Sequence, residues 1–170
     1  MIGSLLNYYW REIMIRTGIG YDVHQLADDR KLIIAGITIP SEKGSVGHSD
    51  GDALSHAIID AVLGAASLGD LGDYFPSEDD KWKGANSLDL LSESIKKVIS
   101  AGYTINNIDS VVIIQKPKLK KYIPQIQKNL AETIGIPIES ISVKATTVDR
   151  IGAIGAGEGW ASQAVATINK

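Results

Sequence analysis

The residues best suited to metal chemistry lie near the start of the chain. All three histidines, His24, His48 and His56, fall between positions 24 and 56 of a sequence of 170 residues. In Asp22-Val23-His24 the carboxylate and the imidazole are two residues apart, so on an extended chain both side chains leave the same face. Two imidazoles and one carboxylate around an open fourth position form a catalytic type of zinc site. Asp22, His24 and His56 are therefore candidate ligands of one Zn²⁺ ion.

His56 stands at helical spacing from two carboxylates. Asp52 precedes it by one turn and Asp60 follows it by one turn, so on a helix the three side chains form a stripe. We expect Asp60 to accept a hydrogen bond from the far ring nitrogen of His56, as groups behind metal-bound histidines do. The alternative is that His56 is a core or capping histidine and that Asp22 is a turn residue. Spacing alone does not decide between these two interpretations.

The segment His48-Ser49-Asp50-Gly51-Asp52 is a candidate phosphate site. It offers an imidazole, a hydroxyl and backbone N–H groups just before a predicted helix N-terminus, where anions are stabilised. An ordinary capping loop is the alternative, because Asp50 and Asp52 repel anions unless a divalent cation lies beside them.

Lysines and hydroxyls follow two later predicted strands. The run from Gln115 to Lys121 contains four lysines, which would either clamp a diphosphate or, as is usual for such runs, form a solvated surface. Thr146-Thr147-Val148-Asp149-Arg150 provides hydroxyls for phosphate oxygens and one carboxylate suited to Mg²⁺. The glycines that follow, between positions 152 and 159, suit either a close backbone approach or a flexible hairpin.

Composition excludes several classes of protein. Seventeen basic against twenty acidic side chains give a net charge of −3, so no global positive field is present to hold nucleic acid or an anionic membrane. The absence of cysteine excludes disulfides, thiolate nucleophiles and cysteine-type zinc sites. No apolar run reaches the roughly 20 residues needed to span a bilayer. We predict a cytoplasmic protein that is not membrane-integral.

The length predicts a single domain, since domains commonly have about 100–200 residues. We predict that residues 15–170 form this domain and that residues 1–14 are an N-terminal extension. Met14 directly precedes the first predicted strand, so translation from Met14 would also give a complete domain. A genuine N-terminal arm is the alternative.

Patterning predicts an α+β protein, a two-layer sandwich in which helices cover one face of a mixed sheet. The predicted strands are 15–21, 32–39, 108–115, 141–147 and 160–168, with a polar turn at 28–30 between the first two. The predicted helices are 53–68, a second one opened by 84–86 and ended by Gly102, and 124–135. Residues 40–52 are predicted to form a long exposed loop.

Many short motifs occur in one order along the chain. They are Gly20-Tyr21-Asp22-Val23-His24, His48-Ser49-Asp50-Gly51-Asp52, Leu68-Gly69-Asp70-Leu71-Gly72, Phe75-Pro76, Lys83-Gly84-Ala85-Asn86-Ser87, Lys144-Ala145-Thr146-Thr147 and Gly157-Glu158-Gly159, together with the helix that contains His56. From Ile15 onward the sequence resembles the 2-C-methyl-D-erythritol 2,4-cyclodiphosphate synthase family of the non-mevalonate isoprenoid pathway. So many blocks in the family's order make the resemblance specific.

The resemblance implies a homotrimer with active sites between subunits. The implied reaction converts 4-diphosphocytidyl-2-C-methyl-D-erythritol 2-phosphate to 2-C-methyl-D-erythritol 2,4-cyclodiphosphate and CMP. Carried over by position, Asp22, His24 and His56 would bind Zn²⁺. Asp149 would meet Mg²⁺ or Mn²⁺ that is held mainly by the substrate's phosphates.

The resemblance also assigns residues that contact the substrate. His48 and Ser49 would contact the terminal phosphate, and His48 with Thr147 would stabilise the transition state. Residues 70–72 would hold the methylerythritol, and residues 114–120 would surround the cytidine and its diphosphate. The implied substrate contacts are Asp22, Val23, His24, His48, Ser49, Asp70, Leu71, Gly72, Phe75, Pro76, Ser77, Glu78, Asp79, Ile114, Gln115, Lys116, Pro117, Lys118, Leu119, Lys120, Thr146, Thr147, Val148 and Asp149.

The chain departs from the family pattern near the implied trimer axis. Ala153 and Ala156 stand where many relatives carry an aromatic residue and an arginine, so an isoprenoid diphosphate in a central cavity would lack a bidentate partner. Ser77 stands where some members have Asp. Catalysis should not depend on the change at the trimer axis, and the change at Ser77 is a smaller one in a loop.

Two other functions fit parts of the pattern. One is a non-catalytic trimer with a structural zinc ion that binds an apolar or anionic metabolite. The other is a metal-dependent phosphohydrolase, which would release inorganic phosphate. Three persuasive ligands, rather than the four of a closed structural site, favour catalysis over the first of these.

Overall fold

The computed structural model describes residues 14–170, so the predicted extension lies outside the described residues except for Met14. The strands are β1 (Ile15–Asp28), β2 (Leu32–Ile34), β3 (Ile37–Ile39), β4 (Lys43–Val46), β5 (Thr104–Ile113), β6 (Ile141–Thr146) and β7 (Gly159–Asn169). The α-helices are α1 (Ala53–Ala66), α2 (Leu71–Tyr74), α3 (Ser87–Ser100), α4 (Ile123–Ile134) and α5 (Gly152–Gly155). Short 3-10 helices cover Asp80–Trp82 and Ile138–Ser140.

Five strands form one mixed sheet in the order β4-β1-β7-β5-β6. β1 pairs antiparallel with β4 and β7, and β5 pairs antiparallel with β7 but parallel with β6. A parallel pair needs a crossover connection, and α4 lies between β5 and β6 along the chain. The predicted α+β class with a mixed sheet is confirmed.

Two glycines of β1 let the first helix lie directly against the sheet. A Cβ atom added at Gly18 would lie 2.1 Å from the carbonyl oxygen of Ala61, and one added at Gly20 would lie 2.0 Å from that of Ala57. Any larger residue at these positions would push α1 away from β1. This backbone-to-backbone contact brings His56, the neighbour of Ala57, close to the strand that carries the other two predicted metal ligands.

Helix α1 forms the centre of the core. All its residues except Asp60 and Gly64 are buried, because the sheet lies on one side and α3 on the other. A helix that is apolar on nearly all sides is typical of a protein interior. Helix α3 also contacts α4, which lies beside β6. Within residues 14–170 no helix has the length and apolar character needed to cross a bilayer.

The predicted strand 32–39 is two short strands, which is a correction. Ala35 and Gly36 have φ values of 47° and 72°, and two positive φ values in a two-residue loop define the tight turn of a hairpin. β2 and β3 pair with each other in a separate sheet instead of extending β1 across the turn at 28–30.

The prediction of an exposed loop over 40–52 is also wrong. The segment contains β4, which pairs with the end of β1, and both Gly44 and Ser45 are buried. Ser45 Oγ accepts a hydrogen bond of 2.9 Å from the indole N–H of Trp160, a fully buried residue on β7. The short helices α2 and α5 were not predicted either, because four residues carry too little periodicity to detect.

Asp52 begins helix α1 and is fully buried. Its Oδ1 accepts the backbone N–H groups of Leu54 and Ser55 at 3.2 Å, and its Oδ2 accepts the Ser55 hydroxyl at 2.7 Å. Burial raises the pKa of Asp52 to about 6, although the hydrogen bonds from Ser55 favour the charged form. The carboxylate therefore satisfies three donors that have no access to water.

We expect Asp52→Ala to lower the free energy of unfolding by about 1–3 kcal/mol, because it removes a helix cap and leaves buried donors unpaired. Asp52→Asn keeps an acceptor for the backbone N–H groups and should retain most of the stability. Urea denaturation followed by circular dichroism measures both variants. An Asp52→Ala variant as stable as the wild type would contradict the capping role.

Candidate active site

Strand β1 and helix α1 bring the three predicted metal ligands together. One ligand atom from each of Asp22, His24 and His56 lies within 4.8 Å of the others. Asp22 Oδ2 is 2.9 Å from His56 Nδ1 and 3.5 Å from His24 Nε2. The two imidazole rings meet edge to face, with centroids 5.3 Å apart. Two nitrogens and one oxygen are thus clustered, as the hypothesis of a shared metal site requires.

The protonation of His24 fits a metal ligand. Its Nδ1 lies 3.0 Å from the carbonyl oxygen of Val23, which only accepts hydrogen bonds, so Nδ1 carries the proton and Nε2 carries the lone pair. Nε2 is buried and has no hydrogen-bond partner within residues 14–170. Burial lowers the pKa of His24 against the opposing charge of Asp22, which favours the neutral ring that binds metals. A divalent cation would satisfy this unpaired atom.

His56 is held by the Asp22 carboxylate. Burial acts to lower the pKa of His56, but the hydrogen bond and charge of Asp22, with smaller contributions from Asp52 and Asp50, leave it raised. A cation bound at this point would take the place of the shared proton, because metal ligation needs the free lone pair of the ring nitrogen. The donor set therefore fits the predicted Zn²⁺ site.

The expected support of His56 by Asp60 is wrong. Asp60 Oδ1 accepts the backbone N–H of Leu71 at 2.8 Å, and burial raises the Asp60 pKa. The far nitrogen of His56, Nε2, instead lies 3.0 Å from Ser87 Oγ and 3.1 Å from Ser49 Oγ. Ser87 was not predicted, since it stands 31 positions after His56 at the start of another helix.

The segment 48–52 serves both as a cap and as part of the site. Asp52 caps α1, and the Asp50 carboxylate accepts hydrogen bonds from the backbone N–H and the hydroxyl of Ser87. The charges of both carboxylates are thus engaged by donors. His48 Nε2 donates to the carbonyl oxygen of Asp79 at 3.2 Å, which orients the ring at the partly exposed side of the loop.

Residues 70–72, expected to hold the methylerythritol, and residues 75–79, expected to contact the substrate, lie in and beside helix α2. Asp70 caps α2 through a hydrogen bond of 3.1 Å from the N–H of Asp73. Phe75 is buried and packs edge to face against Trp82 with ring centroids 4.9 Å apart, so it belongs to the core. Ser77, Glu78 and Asp79 are exposed, and Pro76 and Leu71 are partly buried.

A cavity of about 320 Å³ opens where β5 and β6 end and α4 begins. Its lining combines apolar side chains with lysines and hydroxyls, which suits a base together with phosphate. The lining residues that the sequence analysis assigned to substrate are Ile114, Gln115, Pro117, Lys118, Leu119, Lys120, Thr146 and Thr147. Of the assigned stretches, Lys116, Val148 and Asp149 are not in this lining. Arg150 N–H donates to Gln115 Oε1 at 3.1 Å, so the loop that carries Asp149 is connected to the cavity.

The candidate metal ligands and this cavity lie apart within one chain. β7 and β5 separate β1 from β6, so at a strand spacing of about 4.8 Å β1 and β6 are about 14 Å apart. The cavity lining contains none of Asp22, His24 and His56. One copy of the chain thus presents two separate candidate half-sites, the ligand cluster and the cavity.

Comparison with known proteins shows which family the chain belongs to. The model of the YgbB family matches residues 15–169. The chain belongs to the YgbB family. A relative from Alkaliphilus oremlandii, named 2-C-methyl-D-erythritol 2,4-cyclodiphosphate synthase, is 54% identical over 92% of this chain and 99% of its own length. A relative of the same name from Lachnospira eligens is 52% identical over 91% of this chain and 85% of its own length.

Solved structures of YgbB-type proteins share this fold. The bifunctional IspDF from Campylobacter jejuni superposes with a TM-score of 0.89 at 43% identity, covering 92% of this chain, which spans 42% of that longer protein. A 2-C-methyl-D-erythritol 2,4-cyclodiphosphate synthase described as bound to CDP superposes with a TM-score of 0.82 at 33% identity, over 89% of this chain and 98% of its own. The family resemblance stated from the motifs is confirmed.

Proposed function

We infer that this YgbB protein is a lyase of isoprenoid biosynthesis, a 2-C-methyl-D-erythritol 2,4-cyclodiphosphate synthase. It converts 4-diphosphocytidyl-2-C-methyl-D-erythritol 2-phosphate to the cyclic diphosphate and CMP. The observation that carries this conclusion is the convergence of Asp22, His24 and His56 in a chain that matches its named relatives over nearly their whole length. The cellular location we propose is the cytoplasm, because so highly charged a substrate does not cross a bilayer unaided.

The reaction requires no protein nucleophile. An oxygen of the 2-phosphate attacks the β phosphorus of the same molecule and forms a P–O–P bond. The bond from the β phosphorus to the oxygen shared with the α phosphate breaks, and CMP leaves with that oxygen. Binding both ends of one substrate molecule supplies the proximity that a reaction between two molecules would lack.

Asp22, His24 and His56 would hold Zn²⁺, and Asp149 would contact Mg²⁺ or Mn²⁺ bound mainly to the substrate's phosphates. Bound dications neutralise the charge that develops on phosphoryl oxygens. Around them, His48 and Ser49 bind the terminal phosphate, and Thr147 with His48 stabilises the transition state. The exposure of Asp149 and the partial exposure of His48 support these roles, because both side chains are accessible to a ligand.

The cavity at the ends of β5 and β6 is assigned to the cytidine and its diphosphate. Ile114, Leu119 and Ala145 supply apolar surface for the base, and Lys118 and Lys120 supply charge for the phosphates. Two related solved structures are described as CDP complexes, one of them from Plasmodium falciparum at 32% identity with a TM-score of 0.80. In this proposal, residues 70–72 and 76–79 line the part of the substrate site that lies nearest the metal.

We expect Lys118→Ala to raise the KM by about 10–150-fold with little change in kcat, because one hydrogen bond to a charged phosphate contributes about 1.5–3 kcal/mol to binding. Lys128→Ala, an exposed lysine on α4 outside the cavity, is the matched control and should leave both constants unchanged. Steady-state assays of CMP release measure both. An effect of Lys118→Ala on kcat alone would contradict a binding role.

The proposed assembly is a homotrimer whose active sites lie between subunits. Its first support is the separation of the two half-sites within one chain. Its second support is an apolar row on the face of β1 opposite α1, where Ile15, Ile19, Tyr21 and Val23 are 65%, 64%, 57% and 52% exposed. Burial of such a row against other copies is favourable, since isolated sheets seldom expose it. Residues 15–170 form the single domain of each subunit in this proposal, with residues 1–14 as an extension.

Ile19→Lys should therefore convert the trimer to monomers and abolish most activity. A lysine in the middle of an apolar interface leaves an unpaired buried charge. Ile99→Lys is the matched control, because Ile99 is also more than half exposed but lies on α3, away from the sheet. Light scattering coupled to gel filtration measures the mass. A wild-type mass equal to the 18.2 kDa of one chain would contradict the trimer.

Phosphorus NMR of the purified protein with the proposed substrate tests the reaction itself. The cyclase produces CMP and a cyclic diphosphate in equal amounts. Release of inorganic phosphate would indicate a phosphohydrolase, and binding without turnover would indicate a non-catalytic protein.

A further inference from the structure

The strongest unassigned cluster lies directly behind His56. Ser87, the first residue of α3, is fully buried, and its Oγ is 3.0 Å from His56 Nε2. The same hydroxyl donates to Asp50 Oδ1, and the backbone N–H of Ser87 donates to Asp50 Oδ2 at 3.1 Å. Asp50 Oδ1 also accepts the N–H of Asp52 at 3.3 Å. Asp50, Ser87 and His56 thus form a continuous hydrogen-bonded chain.

The number of available protons determines which group donates in each of these hydrogen bonds. A carboxylate has only acceptors, and a serine hydroxyl has one proton. The proton of Ser87 Oγ is donated to Asp50, so the contact between Ser87 Oγ and His56 Nε2 requires a proton on the nitrogen. His56 therefore keeps its proton on Nε2. When a cation displaces the proton that Nδ1 shares with Asp22, the lone pair of Nδ1 faces the point shared with Asp22 and His24.

Ser49 does not provide the same constraint. Its Oγ is 3.1 Å from His56 Nε2 and 3.4 Å from Ser87 Oγ, and it accepts the Gly51 N–H at 3.4 Å, but within residues 14–170 it contacts no carboxylate. The Ser49 hydroxyl proton can therefore point to Ser87 Oγ or to a ligand. Ser87 is the member of the pair whose proton is committed.

We propose that Asp50 and Ser87 are positioning residues that fix the tautomer and ring orientation of His56 for metal binding through Nδ1. The inference rests on the proposed metal centre and adds its supporting residues. Loss of such support typically weakens metal affinity by about 10–100-fold. The role is one of geometry, since neither residue contributes one of the three clustered ligand atoms.

Zn²⁺ affinity, measured by competition with a chromophoric chelator, tests the proposal. We expect Ser87→Ala to weaken Zn²⁺ binding by about 10–100-fold. Ser94→Ala is the matched control, because Ser94 is also a fully buried serine of α3 but donates to the Leu90 carbonyl. Ser94→Ala should keep the wild-type affinity. Equal affinities for wild type and Ser87→Ala would overturn the positioning role.

Asp50→Asn provides a second test with Ser87 in place. The backbone N–H of Ser87 requires an acceptor, so the amide oxygen faces it and the amide NH₂ donates to Ser87 Oγ. The hydroxyl proton of Ser87 then turns to His56 Nε2 and places the ring proton on Nδ1, where it competes with the ion. We expect the same loss of Zn²⁺ affinity as for Ser87→Ala. Unchanged Zn²⁺ affinity would contradict the proposed order of donors, in which His56 donates to Ser87 and Ser87 donates to Asp50.

Nitrogen NMR of histidine-labelled wild-type protein reads the tautomer directly. With Zn²⁺ bound, His56 should show a protonated Nε2 and a metal-bound Nδ1. A metal-bound Nε2 would overturn the proposal even if the Ser87 variant does not fold. A wild-type protein that binds no Zn²⁺ would overturn the metal centre itself, whereas wild-type binding with unaffected variants would overturn only the positioning pair.

Discussion

His56→Ala should abolish metal binding and turnover together. The substitution removes one of the three proposed ligands, and the lost imidazole also holds Asp22 at 2.9 Å. The loss of activity should exceed the roughly 100-fold effect expected for a residue that only supports a ligand. Metal content measured by mass spectrometry should fall from one ion per chain to near zero, and CMP release should fall with it.

The matched control for this experiment is His48→Ala. His48 is another partly buried histidine of the site, but its Nε2 contacts the carbonyl of Asp79, and it is not one of the three clustered ligands. His48→Ala should lose activity and keep its metal. A His56→Ala protein that retains both metal and activity would show that the ligand assignment is wrong.

Gly20→Ala should strongly destabilise the fold. The new Cβ atom would lie 2.0 Å from the Ala57 carbonyl oxygen and 2.8 Å from the Ala61 nitrogen, both of them backbone atoms of α1. Neither can move without shifting the helix, so we expect a loss of about 3 kcal/mol or more in the free energy of unfolding. Because α1 carries His56, any folded fraction should also bind metal weakly. Thermal and urea unfolding measure the first effect, and metal titration measures the second.

Gly64→Ala, the same change at a glycine of helix α1, should raise the free energy of unfolding instead of lowering it. Gly64 is an exposed residue of α1, and a Cβ atom added there meets nothing within 4 Å in the described part of the chain. Alanine in a helix interior is favoured over glycine by about 0.5–1 kcal/mol. A Gly20→Ala protein as stable as Gly64→Ala would contradict the close packing of α1 on β1.

Local patterns predicted the main elements and the metal ligands. Helix α1 was predicted because apolar residues recur at helical spacing between a capping aspartate and a glycine-rich segment. Asp22 and His24 were predicted to be neighbouring ligands because alternate residues of a strand share a face. These signals depend on neighbours within about one helical turn or two strand residues. They can therefore be recognised in a single sequence.

Contacts between distant segments were predicted poorly. β4 pairs with β1 although its sequence, with Gly44 and Ser45, is typical of a loop. The hairpin of β2 and β3 was missed because Gly36 falls inside an apolar run that favours one strand. Asp60 stands at the correct helical spacing for His56 but faces Leu71, since the segment after α1 turns back over it.

The sequence by itself predicted the family from its ordered motifs and the fold class from its patterning, and both are confirmed. It also named Asp22, His24 and His56 as candidate ligands from their residue types, which stays a prediction. Only the tertiary structure decided which groups stand behind His56 and that the two half-sites lie on different strands. Ser87 reaches His56 because α3 packs on α1, and that packing depends on the shape and burial of whole helix faces. A short window of sequence contains no information on that arrangement.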